Sequence, residues 1–277
     1  MELYSWAELG GVRLHGAPAG PDPFSGLMLS RLIGWRGLPG ARGESDAIPD
    51  GNGDYAREVV LREGRSMELR GAAIGATAYD AALMLDELEA AIGGRTVELR
   101  VCDSTGEWTR MVEVEMATPA EAWNRPRVPF ALDLIAPDPI RYRDPVALGP
   151  VGLPVREGGL RLPKAFPWNF GTSIQPSVLI VNEGTAPVFP VVRVVGAASA
   201  LVVHGGPRRV EVGSFSGELV IDNRDRRVWL NGADVTRYAV RRDWHEIPAG
   251  GTAEFFFVAS GPSPDLVMTV EYQIGVW

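Results

Sequence analysis

The chain has 277 residues, a formal net charge of −8 and a pI near 5.1, a balance that argues against a nucleic-acid backbone as its main partner. Its one cysteine, Cys102, excludes an intrachain disulfide and a thiolate metal cage, and points to folding in a reducing compartment. Thirty-three glycines and 22 prolines in a 45% hydrophobic chain describe a folded, turn-rich protein of many short strands, long enough for two domains.

Residues Glu2–His15 alternate loosely and read as one or two strands, and Leu27–Trp35 is an apolar run of strand length. From Gly37 to Asp54 all apolar periodicity stops, which marks a long loop. Such a loop is either a surface excursion or an arm that orders against a neighbouring subunit. Val59–Arg62 and Ser66–Arg70 flank Glu63-Gly64-Arg65 and read as a hairpin, with Met67 and Leu69 on one face and Glu68 and Arg70 on the other. A helix follows. Thr77 and Asp80 form a capping-box start, Ala81, Leu85, Leu88 and Ile92 recur at helical spacing, and Gly93-Gly94 ends it. Val97–Val101, Met111–Met116 and Val128–Leu134 each alternate as half-buried strands, the first two joined by a turn across Cys102–Arg110. One helix among antiparallel strands is an α+β domain.

Pro137, Pro139 and Pro145 stiffen the exit from this domain, and Gly149–Pro163 has little periodicity, so the boundary is placed near residue 145. Lys164–Gly171 carries Phe166, Trp168 and Phe170, an aromatic lid or inter-domain contact. Val188–Val195, Glu218–Asp222 and Arg227–Leu230 are short β-rich runs around a polar, glycine-rich interval, and Asn231-Gly232 supplies a tight hairpin turn. Glu254–Val258 and Leu266–Val276 complete the series, the last expected to close a sheet. Short strands with a turn every ten residues or so describe an antiparallel β-sandwich. The fold class is therefore mainly β with one helix.

Within the second half, three phrases occur in order: NEGTAPVFP at Asn182–Pro190, GELVIDNRDRRVWLNG at Gly217–Gly232, and DWHEIPAGG at Asp243–Gly251. Together they resemble the C-terminal part of the distal tail protein of long-tailed (siphovirus-type) bacteriophages. The matching residues are Asn182, Gly184, Thr185, Ala186 and Pro190; Leu219, Ile221, Asp222, Arg227, Val228, Asn231 and Gly232; and Trp244, Ile247, Pro248, Ala249 and Gly250. The hairpin–helix–hairpin order upstream and the phrase APDPIRY at Ala136–Tyr142 resemble the N-terminal domain of that family and its exit. The resemblance implies a ring-forming domain over residues 1–145 and a galectin-like sandwich over residues 146–277. It further implies a homohexameric ring in the virion tail tip, partnered by the tail tube protein and the tail-tip hub protein, with DNA only as passing cargo. Synthesis in the host bacterial cytoplasm would follow.

The residues themselves point to no catalytic, cofactor or metal site. His15, His204 and His245 lack the close spacing of a metal pair. Gly213-Ser214-Phe215-Ser216-Gly217 has the glycine flanks of a nucleophile elbow but no helix after it. Glu113 and Glu115, about 7 Å apart on one strand face, read as solvated acids, and Asp222 and Asp225 as turn formers. Arg224, Arg226, Arg227, Arg237, Arg241 and Arg242 are interleaved with Asp222, Asp225, Asp234 and Asp243, the pattern of surface ion pairs. Trp229 and Trp244 are the candidates for stacking on a sugar ring, which would make the sandwich a carbohydrate-binding module for host surface glycans. MELYSWAELGG is unlike a signal peptide and no apolar run is of bilayer length, so no membrane partner is expected.

Overall fold

Trp6–Leu9 (β1) and Val12–His15 (β2) fold back on each other around Gly10 and Gly11, both at positive φ. They open the computed structural model, which describes residues 4–16, 24–43, 47–52, 54–55, 60–117, 124–157 and 172–277. Gly26–Ile33 (β3) touches β2 in parallel through His15↔Met28 and pairs antiparallel with Arg65–Ile74 (β4). The helix is Ala78–Ile92 (α1). Its N-cap Thr77 and Asp80 bond reciprocally, and Ala81, Leu85, Leu88 and Ile92 are its buried residues, as their spacing predicts. Val97–Asp103 (β5), Gly106–Ala117 (β6), Arg127–Ala136 (β7) and Arg141–Tyr142 (β8) follow.

These strands close on themselves. β6 pairs with β5 as far as Val112↔Val97, then crosses to β7 from Glu113↔Ile135 to Ala117↔Ala131. With β7 on β4 and β5 on β1, the order β1-β2-β3-β4-β7-β6-β5 returns to β1 as a barrel. Alternate residues such as Leu9, Leu69, Leu99, Val101, Val112 and Leu132 are completely buried. This is how a small barrel fills its interior while removing strand edges.

Two expectations fail in this unit. Ser66–Arg70 is not half of a local hairpin: it begins the ten-residue β4, whose two sides are taken by β3 and β7. Arg62 instead forms an isolated bridge to Ala41 and donates to the Pro39 carbonyl, and Val59 lies outside the described residues. The connection Cys102–Arg110 shrinks to Ser104-Thr105, because β5 and β6 stay paired down to Asp103↔Gly106. Trp108, Thr109 and Arg110 are all buried, so both faces of the strand are covered there and no alternation is visible.

The chain divides into Met1–Arg143 with Trp277, and Asp144–Val276. The second unit begins with Val146–Val151 (β9), then Val155–Glu157 (β10) and Thr172–Ile174 (β11), which pair as a ribbon. The aromatic stretch Lys164–Gly171 lies outside the described residues. Next come Val178–Val181 (β12), Val191–Ala198 (β13), Ala200–Gly205 (β14), Arg208–Val212 (β15) and Phe215–Asp222 (β16). Arg227–Leu230 (β17), Ala233–Asp234 (β18), Ala239–Arg242 (β19), Thr252–Ser260 (β20) and Val267–Tyr272 (β21) complete the unit.

A five-stranded sheet, β12-β20-β14-β15-β19, faces a six-stranded one, β18-β17-β16-β13-β21-β9. Ile180, Val203, Phe255 and Phe257 from the first meet Val192, Leu219, Ile221, Met268 and Val270 from the second in one core. This is the expected antiparallel sandwich. The polar interval before Phe215 holds a missed hairpin, β14–β15, in which Leu201, Val203, Val210 and Val212 point inward. Gly149–Pro163, where little periodicity is visible, takes in the end of β9, an edge strand on β21, and the whole of β10. An edge strand with one neighbour tolerates Pro150 and needs no alternation. The last long strand ends at Tyr272 and lies between β13 and β9, so it does not close the sheet.

Candidate functional site

In the first unit, charged side chains from four segments converge under cover. Asp103, 7% exposed, ends β5. It accepts from Trp35 Nε1 at 3.0 Å, Arg141 Nη1 at 3.2 Å and Arg36 Nη2 at 3.1 Å, and from Thr105 N at 2.8 Å. Burial pulls its pKa up, but the bonds from Thr105 and Trp35 and the charge of Arg36 pull harder, and it sits below the usual carboxylate range. Arg65, at the start of β4, donates to the carbonyls of Gly34 (2.9 Å), Arg36 (3.1 Å), Gly37 (2.5 Å) and Pro139 (3.3 Å). One guanidinium thus fixes both the point where the Gly37–Asp54 segment leaves the barrel and the proline turn of the exit. The phrase Ala136–Tyr142 completes the cluster: Asp138 accepts from Ile140 N and Tyr142 Oη, and Arg141 stands 5.0 Å over the Trp108 ring.

Arg110 lies at the centre. It is 2% exposed, stands 4.6 Å over the Trp35 ring and donates Nη1 to the Trp35 carbonyl. Among the described residues its Nε and Nη2 find no acceptor. Burial, then the charges of Arg65 and Arg141, lower its pKa to about 9. A cation held this way adds little net stability, so Arg110→Met should change the stability of this unit by less than about 1 kcal/mol. Urea unfolding of the variant checks it.

The sandwich is tied by asparagines of the first two phrases. Asn182 is fully buried. Its Nδ2 donates to the carbonyls of Ala186 (2.9 Å), Ile247 (3.1 Å) and Pro248 (3.0 Å), and its Oδ1 accepts from Gly184 N. The NEGTA and IPAG phrases are therefore two sides of one bonded corner. Gly184 is required there because a Cβ would lie 2.2 Å from the Gly275 carbonyl oxygen. Asn231, at φ +49°, makes the expected turn with Gly232 and bonds Glu218 N and the Ser216 carbonyl. Asn223 bonds the Pro190 carbonyl and accepts from His245 N.

His245 itself is 1% exposed, edge-on to Phe255, and burial lowers its pKa to about 4. The imidazole is neutral in the folded state, with Arg208 and His204 adding unfavourable charge. The unfolded chain takes the proton first, so stability present above pH about 6.5 is lost as pH falls toward 4, by on the order of 3 kcal/mol. Unfolding at pH 7 and pH 4.5 should show this loss in the native protein and less of it in His245→Gln.

The remaining sequence candidates are dispersed. His15 is exposed at the end of β2, and His204 lies on β14 stacked against Phe256 at 4.6 Å. Among the described residues no group of three or more His, Cys, Asp or Glu is arranged to hold a metal. Ser214 precedes β16, and no helix follows it. Asp222 Oδ1 accepts from Arg224 N and Asp225 N as a turn former, and Arg241 pairs with Asp243 and Arg227 with Asp234. Trp229 is half-buried on β17 with Arg227 5.8 Å from its ring, whereas Trp244 packs against the core. Trp229 belongs to the six-stranded sheet, and Trp244 follows β19 of the five-stranded one. Glu113 and Glu115 are exposed on β6, beside a cleft of about 400 Å³ lined also by Gly94, Arg95, Asp133 and Ile135. Among the described residues no helix is long and apolar enough to cross a membrane.

Neither a family-wide sequence model nor a curated protein sequence matches the chain. Its structure is similar to that of the Dit protein (gp 19.1) of SPP1, a paradigm of the hub adsorption apparatus in phages infecting Gram-positive bacteria. The TM-score is 0.62 at 14% identity over 98% of both chains. A chain of the phage P2 baseplate in its activated conformation with Ca is similar at a TM-score of 0.50 and 8% identity, over 98% of both. At such identities the likeness is one of fold, and it extends from end to end.

Proposed function

We infer that this chain is a distal tail protein, a structural component of a phage tail tip. Copies of residues 1–145 form a ring, a homohexamer, that joins the tail tube protein to the tail-tip hub and keeps the DNA channel continuous. The observation that carries this reading is the end-to-end likeness to SPP1 Dit across 98% of both chains. An acidic chain suits a lumen through which DNA slides without sticking.

The Gly37–Asp54 segment and its return are the ring contacts in this reading. Leu38, Tyr55, Val60 and Leu61 are 61%, 57%, 44% and 62% exposed on them. Exposed apolar side chains concentrated on the described part of this segment suit burial against a neighbour. Arg65 holds the root of that segment rigid. A ring needs such a heterologous, closing contact. The expected result is that Leu38→Asp with Leu61→Asp abolishes self-association, read by light scattering, while leaving the circular dichroism and melting of the single chain unchanged. Association surviving both changes would remove the arm from the account. The virion assignment is tested separately by gold-labelled antibodies on phage particles that encode the chain, which should mark the tail tip.

A further inference from the structure

β6 is longer than the partner it starts with. β5 accompanies it from Gly106 to Val112, and beyond Val97 that chain turns away through Gly94-Arg95-Thr96. From Glu113 to Ala117 the strand is held by β7 alone. Among the described residues no strand lies on its other side, and the cleft of about 400 Å³ opens there. Alternate N–H and C=O groups of an otherwise closed barrel thus face open space, a template for one more strand.

The side chains around this edge state what the added strand must carry. Glu113 and Glu115 are exposed on it, and Glu115 stands directly opposite Asp133 on β7. On the far side of Asp133 lies Glu68, whose charge is met by Arg70 at 2.5 Å. Among the described residues that line the cleft, Arg95 is the one that is basic, against Glu113, Glu115 and Asp133. Apolar surface is interleaved: Ile135, opposite Glu113, is 49% exposed and Met111 is 51% exposed.

Carboxylates facing one another across a ladder are unfavourable as they stand. The same edge of a second copy would bring a further row of carboxylates and be repelled. An extended segment with Lys or Arg on alternate residues and apolar residues between them would satisfy the backbone, the acids and the apolar surface together. We propose that the Glu113–Ala117 edge of β6 is a docking site for a basic, extended segment of a partner chain, which adds to the barrel as a strand. The inference stands on the barrel alone and does not depend on the tail assignment.

The test uses the full chain and a fluorescein-labelled peptide of strand length with alternating Lys and Val, read by fluorescence anisotropy. Three controls accompany it. One is the Glu/Val peptide; the second is the Lys/Val peptide N-methylated at every other amide, so that charge is kept and one hydrogen-bonding edge is lost. The third is the protein variant Glu113→Gln with Glu115→Gln. The expected result is saturable binding of the Lys/Val peptide, weakened by salt and at least about tenfold weaker with each control. No binding by the unmodified protein overturns the proposal. So does equal binding of the N-methylated peptide, which would mean charge attraction without strand addition. Equal binding by the Gln variant, with its melting unchanged, would place the peptide elsewhere and overturn it as well.

Discussion

Asn182→Ala is expected to destabilise the C-terminal sandwich by about 4 kcal/mol. The side chain is fully buried and joins β12 to the loop before β13 and to the Ile247-Pro248 segment through four hydrogen bonds. Removing it leaves the buried Ala186 carbonyl and the Gly184 N–H without the Asn182 amide, while the Ile247 and Pro248 carbonyls keep the bonds from Val188 N and Gly251 N, so the loss comes from those two groups and from the buried volume that is emptied. Asn182→Asp should fare little better, because its oxygens meet three carbonyl oxygens where Nδ2 donates. Urea unfolding with a probe for each unit checks this: the sandwich transition should move to lower denaturant while that of the barrel stays in place. A loss below about 1 kcal/mol would show that the corner is held by the backbone bonds Asn182 N–Gly251 O and Val188–Ile247 instead.

The second large effect belongs to the barrel. Asp103→Ala should cost about 4 kcal/mol, since it leaves Arg141 and Arg36 without the carboxylate that compensates them in a covered site. The contrast with Arg110→Met is the informative comparison. Both remove one buried charge from the same cluster, but one removes the scarce anion and the other a surplus cation. Because the Asp103 pKa is depressed, its contribution is complete above the ordinary carboxylate pKa and disappears as pH falls through the folded value. The difference between native protein and Asp103→Ala should therefore narrow in acid. Equal costs for the two variants would mean that packing, not charge, governs the cluster.

Sequence periodicity was enough for the elements whose faces differ in polarity. Thr77, Asp80 and the 81/85/88/92 spacing placed the helix, and Val97, Leu99 and Val101 placed the inner face of β5. Asn231-Gly232 marked its turn, since few residue pairs other than Asn-Gly take positive φ so readily. Barrel closure was not legible, because it depends on β6 changing partners at Glu113, a matter of register between distant segments. β9 was hidden by Gly149 and Pro150, which an edge strand tolerates. The charged cluster was hidden for a different reason. Arg36, Arg65, Asp103, Arg110, Asp138 and Arg141 are scattered through the first unit, and each alone reads as surface. The three phrases read as ordinary turn chemistry, yet Asn182 and Asn223 are the bolts of the sandwich.

The central claim is that the chain closes into a ring, and its most direct test is molar mass by light scattering across a concentration series, with negative-stain images of the same fractions. The account predicts annular particles of about six chains with a central hole, at concentrations high enough to drive heterologous closure. Two-fold dimers, or monomers at every concentration with no annular particles, would contradict it.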